Sequence, residues 1–462
     1  MAKIGFCAVS GSGMSALAQV LKYKNNDVYG SDRSFDQGKD QKNKQALTDI
    51  GIKIYPQDGS MLDKDFSVLY ASTAVEDTIP DIKRAKELNI PIKKRSDLLA
   101  EIFASYKYNI AVGGTSGKST TTAMIGYILD KALKKPLVIN GALLKNYANQ
   151  KGIPNVILNN GEFCVIEADE SDGSIEKYTP YISVVNNITL DHKSIEELQA
   201  LFGDFIKKGS HGAVLNKDCP NTTPLLNLNA NTVTFSIKDR SANFYAEKIT
   251  PVFDGTLYTF CGQEYKLPLI GAFNVANALC AIAICDMLNV DPASICEGLK
   301  AARIKGRVEP IHISDDYTLL IDYAHNAMAL ESLLTTLRAY EPKRLVCLFG
   351  CGGNRSRARR FEMGEVSGRL SDLTIITSDN PRFEEPLDII ADIKTGIDKT
   401  NGRYIEIADR KEAISYSIDH AMPGDIIVLA GKGHEDYQEI KGVKYPMDER
   451  ILIDEILKER EA

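Results

Sequence analysis

YNIAVGGTSGKSTTTAMIGYIL, residues 108–129, passes from strand chemistry through a glycine loop into helix chemistry. Ile110, Ala111 and Val112 are a short apolar run that suits the end of a buried strand. Residues 113–119 then read GGTSGKS, and Met124, Ile125, Ile128 and Leu129 recur at helical spacing. Strand, glycine loop and helix N-terminus together hold a triphosphate, because backbone N–H groups turn inward and the helix dipole adds positive potential. Here Gly114, Thr115, Ser116, Gly117 and Thr120 would wrap the phosphates, Lys118 would reach the β- and γ-phosphates, and Ser119 can ligate Mg²⁺. The general P-loop spacing wants a glycine five residues before Gly117, where this chain has Val112, so the match is one residue short. A glycine-rich turn with a surface lysine is the bland alternative. The flanking strand and helix favour ATP.

The 462 residues suffice for about three domains of ordinary size. Hydrophobic residues make up 44%, enough for real cores, yet no run approaches the length of a membrane-crossing helix. The first residues, MAKIGFCAVSGSGMSALA, lack the cationic segment and unbroken apolar run of an export signal. With 55 basic and 62 acidic residues the net charge is -7, which argues against general nucleic-acid binding. Nine cysteines without C-x-x-C pairs suit reduced thiols in a cytoplasmic enzyme.

Residues 3–9 read as a strand, and Ser10, Gly11, Ser12 and Gly13 lead into an apolar helix. A second strand at 27–29 ends at Gly30, Ser31 and Asp32. This is G-x-G-x-x-A with an acid about twenty residues on, the dinucleotide fingerprint. The same loop would bind any pyrophosphate, including that of a UDP-sugar, so the motif leaves both open. Further strands are expected at 67–72 and 90–92, and a helix at 96–103 closes the first domain, 1–104.

The second domain, 105–308, holds the P-loop, a strand at 163–167 ending on Glu167, and a β-rich run at 181–187 leading to Asp191 and His192. Glu167 and His192 at strand ends beside a P-loop are candidate ligands of nucleotide-bound Mg²⁺. A capping carboxylate and a hydrogen-bonded structural imidazole are the alternatives. Asn277 opens a strongly apolar helix and has an amide suited to an adenine edge, or else to helix packing. Arg307 lies at the expected domain boundary, in Gly306-Arg307-Val308-Glu309. From 309 to 462 strands at 319–323, 345–349, 373–377, 404–407 and 425–429 alternate with helices at 330–338, 386–398 and 410–420. That pattern predicts a doubly wound α/β domain whose function sits at the carboxyl ends of its strands.

These motifs, in this order, resemble the Mur ligases, the ATP-dependent amide ligases that build the peptide stem of peptidoglycan. The form GT-x-GK-[ST]-T at residues 114–120 also accounts for the short P-loop. The resemblance implies an α/β protein of three domains: an N-terminal Rossmann-like domain for the UDP-sugar, a central P-loop ATPase, and a C-terminal Rossmann-like domain for the incoming amino acid. GSGMSALA, YGSD, IPIKKRSDLLAEI and EADESDGS resemble the members that add L-alanine or recycle murein peptide. IDYAH, LFGCGGNR, SDNPR, AGKGHE and the late DER resemble the member that adds the third residue. Because the last domain binds the amino acid, it decides the expected reaction: meso-diaminopimelate joined to UDP-N-acetylmuramoyl-L-alanyl-D-glutamate through an acyl phosphate. L-alanine addition and murein-peptide recycling are the alternatives, with an NAD oxidoreductase or a non-catalytic subunit further off.

By the same resemblance Lys118, Glu167, His192 and Arg307 are catalytic, and Ser119, Glu167 and His192 serve the metal. Asn277 meets the adenine, Asp322 the ribose, and Arg307 and His325 the phosphates. Ser10, Gly11, Ser12 and Gly13 cradle the UDP pyrophosphate, with Ser31 and Asp32 near the uridine. Arg355 and Arg382 hold the distal carboxylate of the diamino acid, while Asp379, Asn380, Gly431 and Glu435 read its ammonium and polar edges. A bidentate guanidinium distinguishes diaminopimelate from lysine, which lacks that carboxylate. An ordinary proline turn at 378–382 is the alternative. The family's carbamylated lysine has no obvious counterpart: Lys193 is too early, and Gln199 or Ala200 falls near the expected place. Either the site manages without it or Lys207 or Lys208 substitutes. The protein is expected to be a cytoplasmic monomer using ATP and Mg²⁺, without nucleic-acid or membrane partners.

Overall fold

A computed structural model describes residues 2–72, 76–170, 173–190, 193–252, 255–302 and 308–461. They fall into two compact units, one of Met1–Ile249, Tyr258–Pro268 and Phe273–Arg303, the other of Thr250–Leu257, Leu269–Ala272 and Ile304–Ala462.

The first unit contains one whole sheet and most of a second. The N-terminal sheet comprises β1 (Lys3–Cys7), β2 (Asp27–Ser31), β3 (Lys53–Tyr55), β4 (Phe66–Ala71) and β5 (Ile92–Lys94) in the order β3-β2-β1-β4-β5. All its pairings are parallel. The chain order reverses between β1 and β4, and such a switch point opens a crevice at the strands' carboxyl ends. The loop 8–11 leaves β1 there and enters the helix Ser12–Tyr23, whose buried face includes Leu17, Val20 and Leu21. The expected strand at 90–92 lies two residues later, because Ile90 and Pro91 form its approach and Pro91 has no N–H for a ladder.

The central sheet has ten strands: β6 (Tyr108–Gly113), β7 (Leu137–Ile139), β8 (Val156–Ile157), β9 (Phe163–Glu167), β10 (Ile182–Val185), β11 (Gly212–Asn216), β12 (Thr232–Ser236), β13 (Phe244–Val252), β14 (Gly255–Phe260) and β15 (Gln263–Leu267). Their order is β15-β14-β13-β12-β11-β10-β6-β9-β7-β8. β6 lies between β10 and β9, parallel to both, which explains why Ile110, Ala111 and Val112 are all apolar and fully buried. The helix Lys118–Lys131 follows, with Ala123 to Leu129 buried throughout. Ser194 and Glu197 form a reciprocal capping box that starts the helix Ile195–Lys207.

The second unit is the expected doubly wound domain. Its sheet runs β16 (Glu309–Ile311), β17 (Thr318–Asp322), β21 (Asp425–Ala430), β18 (Arg344–Phe349), β19 (Leu373–Ile376) and β20 (Tyr404–Glu406), with only β16 antiparallel. The hairpin β22 (Tyr437–Ile440) and β23 (Val443–Pro446) and the helix Glu449–Glu461 complete it. Among the described residues no helix is long and apolar enough to cross a membrane. All nine cysteines are free thiols.

Candidate active site

In the first unit, the P-loop sits where β6 ends between its two neighbours. Gly117 takes a left-handed conformation (φ 82°) and starts the helix that begins at Lys118. A Cβ there would meet Asn277 Oδ1 at 2.6 Å and Asn186 Nδ2 at 2.9 Å, so glycine is required on two counts. Lys118 Nζ curls back to Gly114 O at 2.7 Å and Glu170 Oε2 at 3.0 Å. Ser119 Oγ donates to Glu167 Oε2 at 3.0 Å, and Gly141 N–H donates to Glu167 Oε1. Hydroxyl and carboxylate oxygen therefore converge on one point beside the loop. Such hard oxygen donors fit Mg²⁺, which takes its remaining ligands from phosphate and water.

The loop differs from the expectation in one respect. The N–H groups of Thr115 and Ser116 do not all face an open cradle: they donate to Asn187 O (3.0 Å) and Asn187 Oδ1 (2.8 Å). Asn187 Nδ2 returns a bond to Ser116 O at 3.1 Å. Asn186 Nδ2 donates to Thr121 Oγ1 at 2.9 Å, and Thr121 Oγ1 donates to Asn277 Oδ1 at 3.3 Å. Asn186 and Asn187 were visible in the sequence as the end of a strand, but only the pairing of β10 with β6 brings them onto the loop. Asn277, 8% exposed, lies against Gly117 with its Nδ2 on Asn274 Oδ1 at 3.2 Å. Thr120 is buried in the helix's first turn.

His192 and Arg307, with Asp191, lie outside the described residues. Of the lysines weighed for carbamylation, Lys207 pairs with Asp204 at 3.0 Å, Lys208 donates to Glu176 O and Lys193 donates to Glu170 O at 2.9 Å. Lys207 ends a thirteen-residue helix, roughly 20 Å from its start at 1.5 Å per residue. Gln199 Nε2 donates to Asn221 O at 3.0 Å.

At the end of β1, Ser10 N–H donates to Asp32 Oδ2 at 2.8 Å and Ser10 Oγ to Asp40 Oδ2 at 2.9 Å. Gly11 is the N-cap of the helix that holds Ser12 and Gly13, so the loop does deliver a helix N-terminus to the switch point. Arg95, which the sequence did not single out, approaches this loop: a Cβ on Gly13 would lie 3.0 Å from Arg95 Cδ. Asp32 also caps its own following turn through Ser34 N–H at 2.9 Å. Ser31 is fully buried and gives its hydroxyl to Asp81, whose carboxyl burial pushes above its ordinary value.

In the second unit, the strand ends form a polar rim. Arg410 and Glu449, both almost wholly buried, pair at 2.7 Å, and Arg410 also donates to Ser378 O (3.1 Å) and Ala430 O (3.0 Å). One guanidinium thus ties the ends of two rim segments together. On them, Lys432 is fully buried with Nζ donating to Asn380 Oδ1 (2.9 Å), Glu435 Oε2 (2.9 Å) and Tyr437 O. Asn380 Nδ2 donates to Glu435 Oε2 at 3.0 Å, and Asp379 Oδ1 stands 3.9 Å from Lys432 Nζ. Lys432 was legible only as part of AGKGHE; its burial follows from the hairpin packed over it.

Arg382, at φ 51°, pairs with Glu439 at 3.2 Å and donates to Gly353 O at 2.7 Å. Gly353 allows this: its absent Cβ would sit 1.9 Å from Pro381 O, so only glycine lets the two loops touch. Arg355, on the same glycine loop, is exposed. Gly431 approaches Asp379, where a Cβ would lie 2.9 Å from Oδ2. Asp322 is buried and accepts from Val308 N–H (2.7 Å) and Ala324 N–H (2.8 Å), while His325 Nδ1 lies 2.9 Å from Tyr323 O. Arg355, Asp379, Asn380, Arg382, Gly431 and Glu435 therefore share three adjoining loops of one rim. Asp322 and His325 follow β17 at the same end of the sheet.

Three family models match successive parts of the chain: "Mur ligase family, catalytic domain" over 3–107, "Mur ligase middle domain" over 112–285, and "Mur ligase, glutamate ligase domain" over 306–433. A UDP-N-acetylmuramoyl-L-alanyl-D-glutamate–2,6-diaminopimelate ligase of Caldanaerobacter subterraneus subsp. tengcongensis is 32% identical, over 89% of this chain and 92% of its own. A UDP-N-acetylmuramate–L-alanine ligase of a Sulfurihydrogenibium species is 31% identical over 93% and 95%. The solved UDP-N-acetylmuramate–alanine ligase of Thermotoga maritima superposes with a TM-score of 0.77 over 100% of this chain and 99% of that one, at 24% identity, and so shares its fold.

Proposed function

The chain belongs to the Mur ligase family, and from that premise we propose that it adds meso-diaminopimelate to UDP-N-acetylmuramoyl-L-alanyl-D-glutamate, consuming ATP. The observation that carries this reading is the rim of the second unit. Two guanidinium groups, Arg355 and Arg382, share it with the carboxylates Asp379 and Glu435. A substrate bearing both a distal carboxylate and a distal ammonium would use both signs of charge; lysine or alanine would not. Relatives carrying the diaminopimelate name, at 30–36% identity, support the same choice.

The terminal D-glutamate carboxylate is a poor electrophile; its oxygen attacks the γ-phosphorus of ATP, the β–γ P–O bond breaks to release ADP, and the carboxylate becomes an acyl phosphate. Lys118 would leave Glu170 and Gly114 O for the β- and γ-phosphates, where its charge meets that developing on the transferred group. Ser119, Glu167 and His192 would hold Mg²⁺, which when bound neutralises phosphate oxygens. The neutral amine of the amino acid then attacks the acyl carbon, and the tetrahedral adduct expels phosphate to leave the amide. The Ser10–Gly13 loop, with Arg95 beside it, would take the UDP diphosphate. We place the enzyme in the cytoplasm, where its substrates are made.

Purified protein given ATP, the UDP-muramoyl dipeptide and one amino acid at a time should release phosphate with meso-diaminopimelate and far less with L-lysine. A second reading, L-alanine addition to UDP-N-acetylmuramate, draws on the resemblance of the N-terminal half to that ligase. Phosphate release only with that pair of substrates would replace the first reading by the second.

A further inference from the structure

We infer that Asn155 is a positioning residue that couples the nucleotide-sugar loop to the ATP loop. The inference rests on the ligase reading for the identity of the two ligands. Asn155 is 1% exposed and belongs to the central domain's sequence, immediately before β8. Its side chain nevertheless reaches the N-terminal glycine loop: Nδ2 donates to Ser12 O at 2.9 Å and lies 3.3 Å from Ser15 Oγ. Gln19, also 1% exposed, clamps it from the same helix, with Nε2 on Asn155 Oδ1 at 3.0 Å and Oε1 accepting Ile153 N–H at 2.8 Å.

The other side of Asn155 leads to the P-loop. Its carbonyl accepts Asn140 N–H at 3.0 Å. The next residue, Gly141, donates its N–H to Glu167 Oε1, and Glu167 Oε2 accepts from Ser119 Oγ at 3.0 Å. Four hydrogen bonds and the short backbone steps through Asn155 and Asn140–Gly141 therefore join Ser12 to Ser119. Side-chain torsions offer little slack, since both amide groups of the Gln19–Asn155 clamp are buried and satisfied. When phosphate and metal draw Ser119 and Glu167 into their own coordination, the Asn140–Gly141 peptide must adjust, and Asn155 passes that adjustment to the first turn of the UDP-binding helix. Gly152, at φ 92°, sits where a Cβ would come within 2.3 Å of Gln19 Oε1, so the turn leading into this segment is shaped around the clamp.

The test uses the full chain and calorimetric titration of UDP-N-acetylmuramoyl-L-alanyl-D-glutamate, with and without Mg²⁺ and a non-hydrolysable ATP analogue. The wild type should bind the UDP compound about 5- to 150-fold differently in the two conditions, the usual range of inter-site coupling, and the analogue must feel the same factor in return. Asn155→Asp keeps the acceptor for Gln19 but loses the donor to Ser12 O. It should bring the coupling factor to within about twofold of unity, while the analogue alone binds as to wild type. Gln19→Met, which frees the clamp without touching the Ser12 contact, should lower the factor partway and serves if Asn155→Asp folds poorly. Wild-type coupling in both variants overturns the inference, and so do two ligands that bind the wild type independently. A wild type that binds no UDP-sugar at all sinks the ligase reading, and this inference with it.

Discussion

Replacing Lys432 by methionine removes an ammonium with zero exposure and leaves a chain of similar length. Three acceptors lose their donor: Asn380 Oδ1, Glu435 Oε2 and Tyr437 O. Asn380 retains Glu439 N–H at 2.9 Å, and Glu435 retains Asn380 Nδ2 at 3.0 Å, so the loss is partial for both. Breaking one side of a buried pair costs about 3–5 kcal/mol because the surviving charge stays desolvated. Here Glu435 is on the rim and water can reach it, which points to the lower end, about 3 kcal/mol. Urea unfolding should register that loss in the transition of the second unit. Because Glu435 and Asn380 are no longer held in register, the KM for meso-diaminopimelate should rise at least about tenfold, equivalent to ~1.4 kcal/mol, with the KM for ATP within about twofold. Unfolding at the wild-type midpoint would show that the ammonium does not carry the rim. A lowered midpoint with an unchanged diaminopimelate KM would refute the orienting role and leave only a structural one.

Lys118→Ala should abolish phosphate release while calorimetry still detects the UDP-sugar, since among the described residues the ammonium bonds to Gly114 O and Glu170 in the P-loop region and not to the UDP-binding loop; joint loss of both would mean the unit had unfolded. Arg382→Ala should raise the diaminopimelate KM by a factor of about thirty to several thousand, from the ~2–5 kcal/mol of a charge-assisted pair, leaving ATP binding intact; parallel changes in both constants would contradict the assignment. Asp81 has a pKa raised by burial, so the folded state favours its protonated form. Its stabilising effect is complete below the unfolded carboxyl value and is lost as pH rises through the higher folded value. Asp81→Asn should therefore flatten the melting temperature between pH 4 and neutrality; an unchanged slope would show that another group sets it.

Much of this architecture is written locally. The apolar run 110–112, the GGTSGKS loop and the helical spacing after it specify strand, turn and helix before any neighbour is known. The same holds for the alternation beyond residue 317, where helices such as Pro386–Ile397 and Arg410–Asp419 appear within a residue or so of their expected ends. Short edge strands were harder. β16 is three residues long and β22–β23 forms a separate hairpin, and so few residues carry no period to read.

The glycine loops, the lysine and serine of the P-loop and the acid at the end of β9 were fixed by residue type and spacing, because local backbone geometry and the bonding capacity of each side chain depend only on near neighbours. Which strand lies beside which was not. The order β10-β6-β9 sets Asn186, Asn187 and Glu167 around the P-loop and Ser119, although Asn187 lies 71 positions from Ser116 and Glu167 48 from Ser119. Nor could sequence show that Lys432 is buried, or that Asn155 reaches Ser12 across 143 positions. Those contacts arise from long-range packing of apolar faces, where many sequence-distant residues choose their partners together, and a one-dimensional pattern holds no record of that choice.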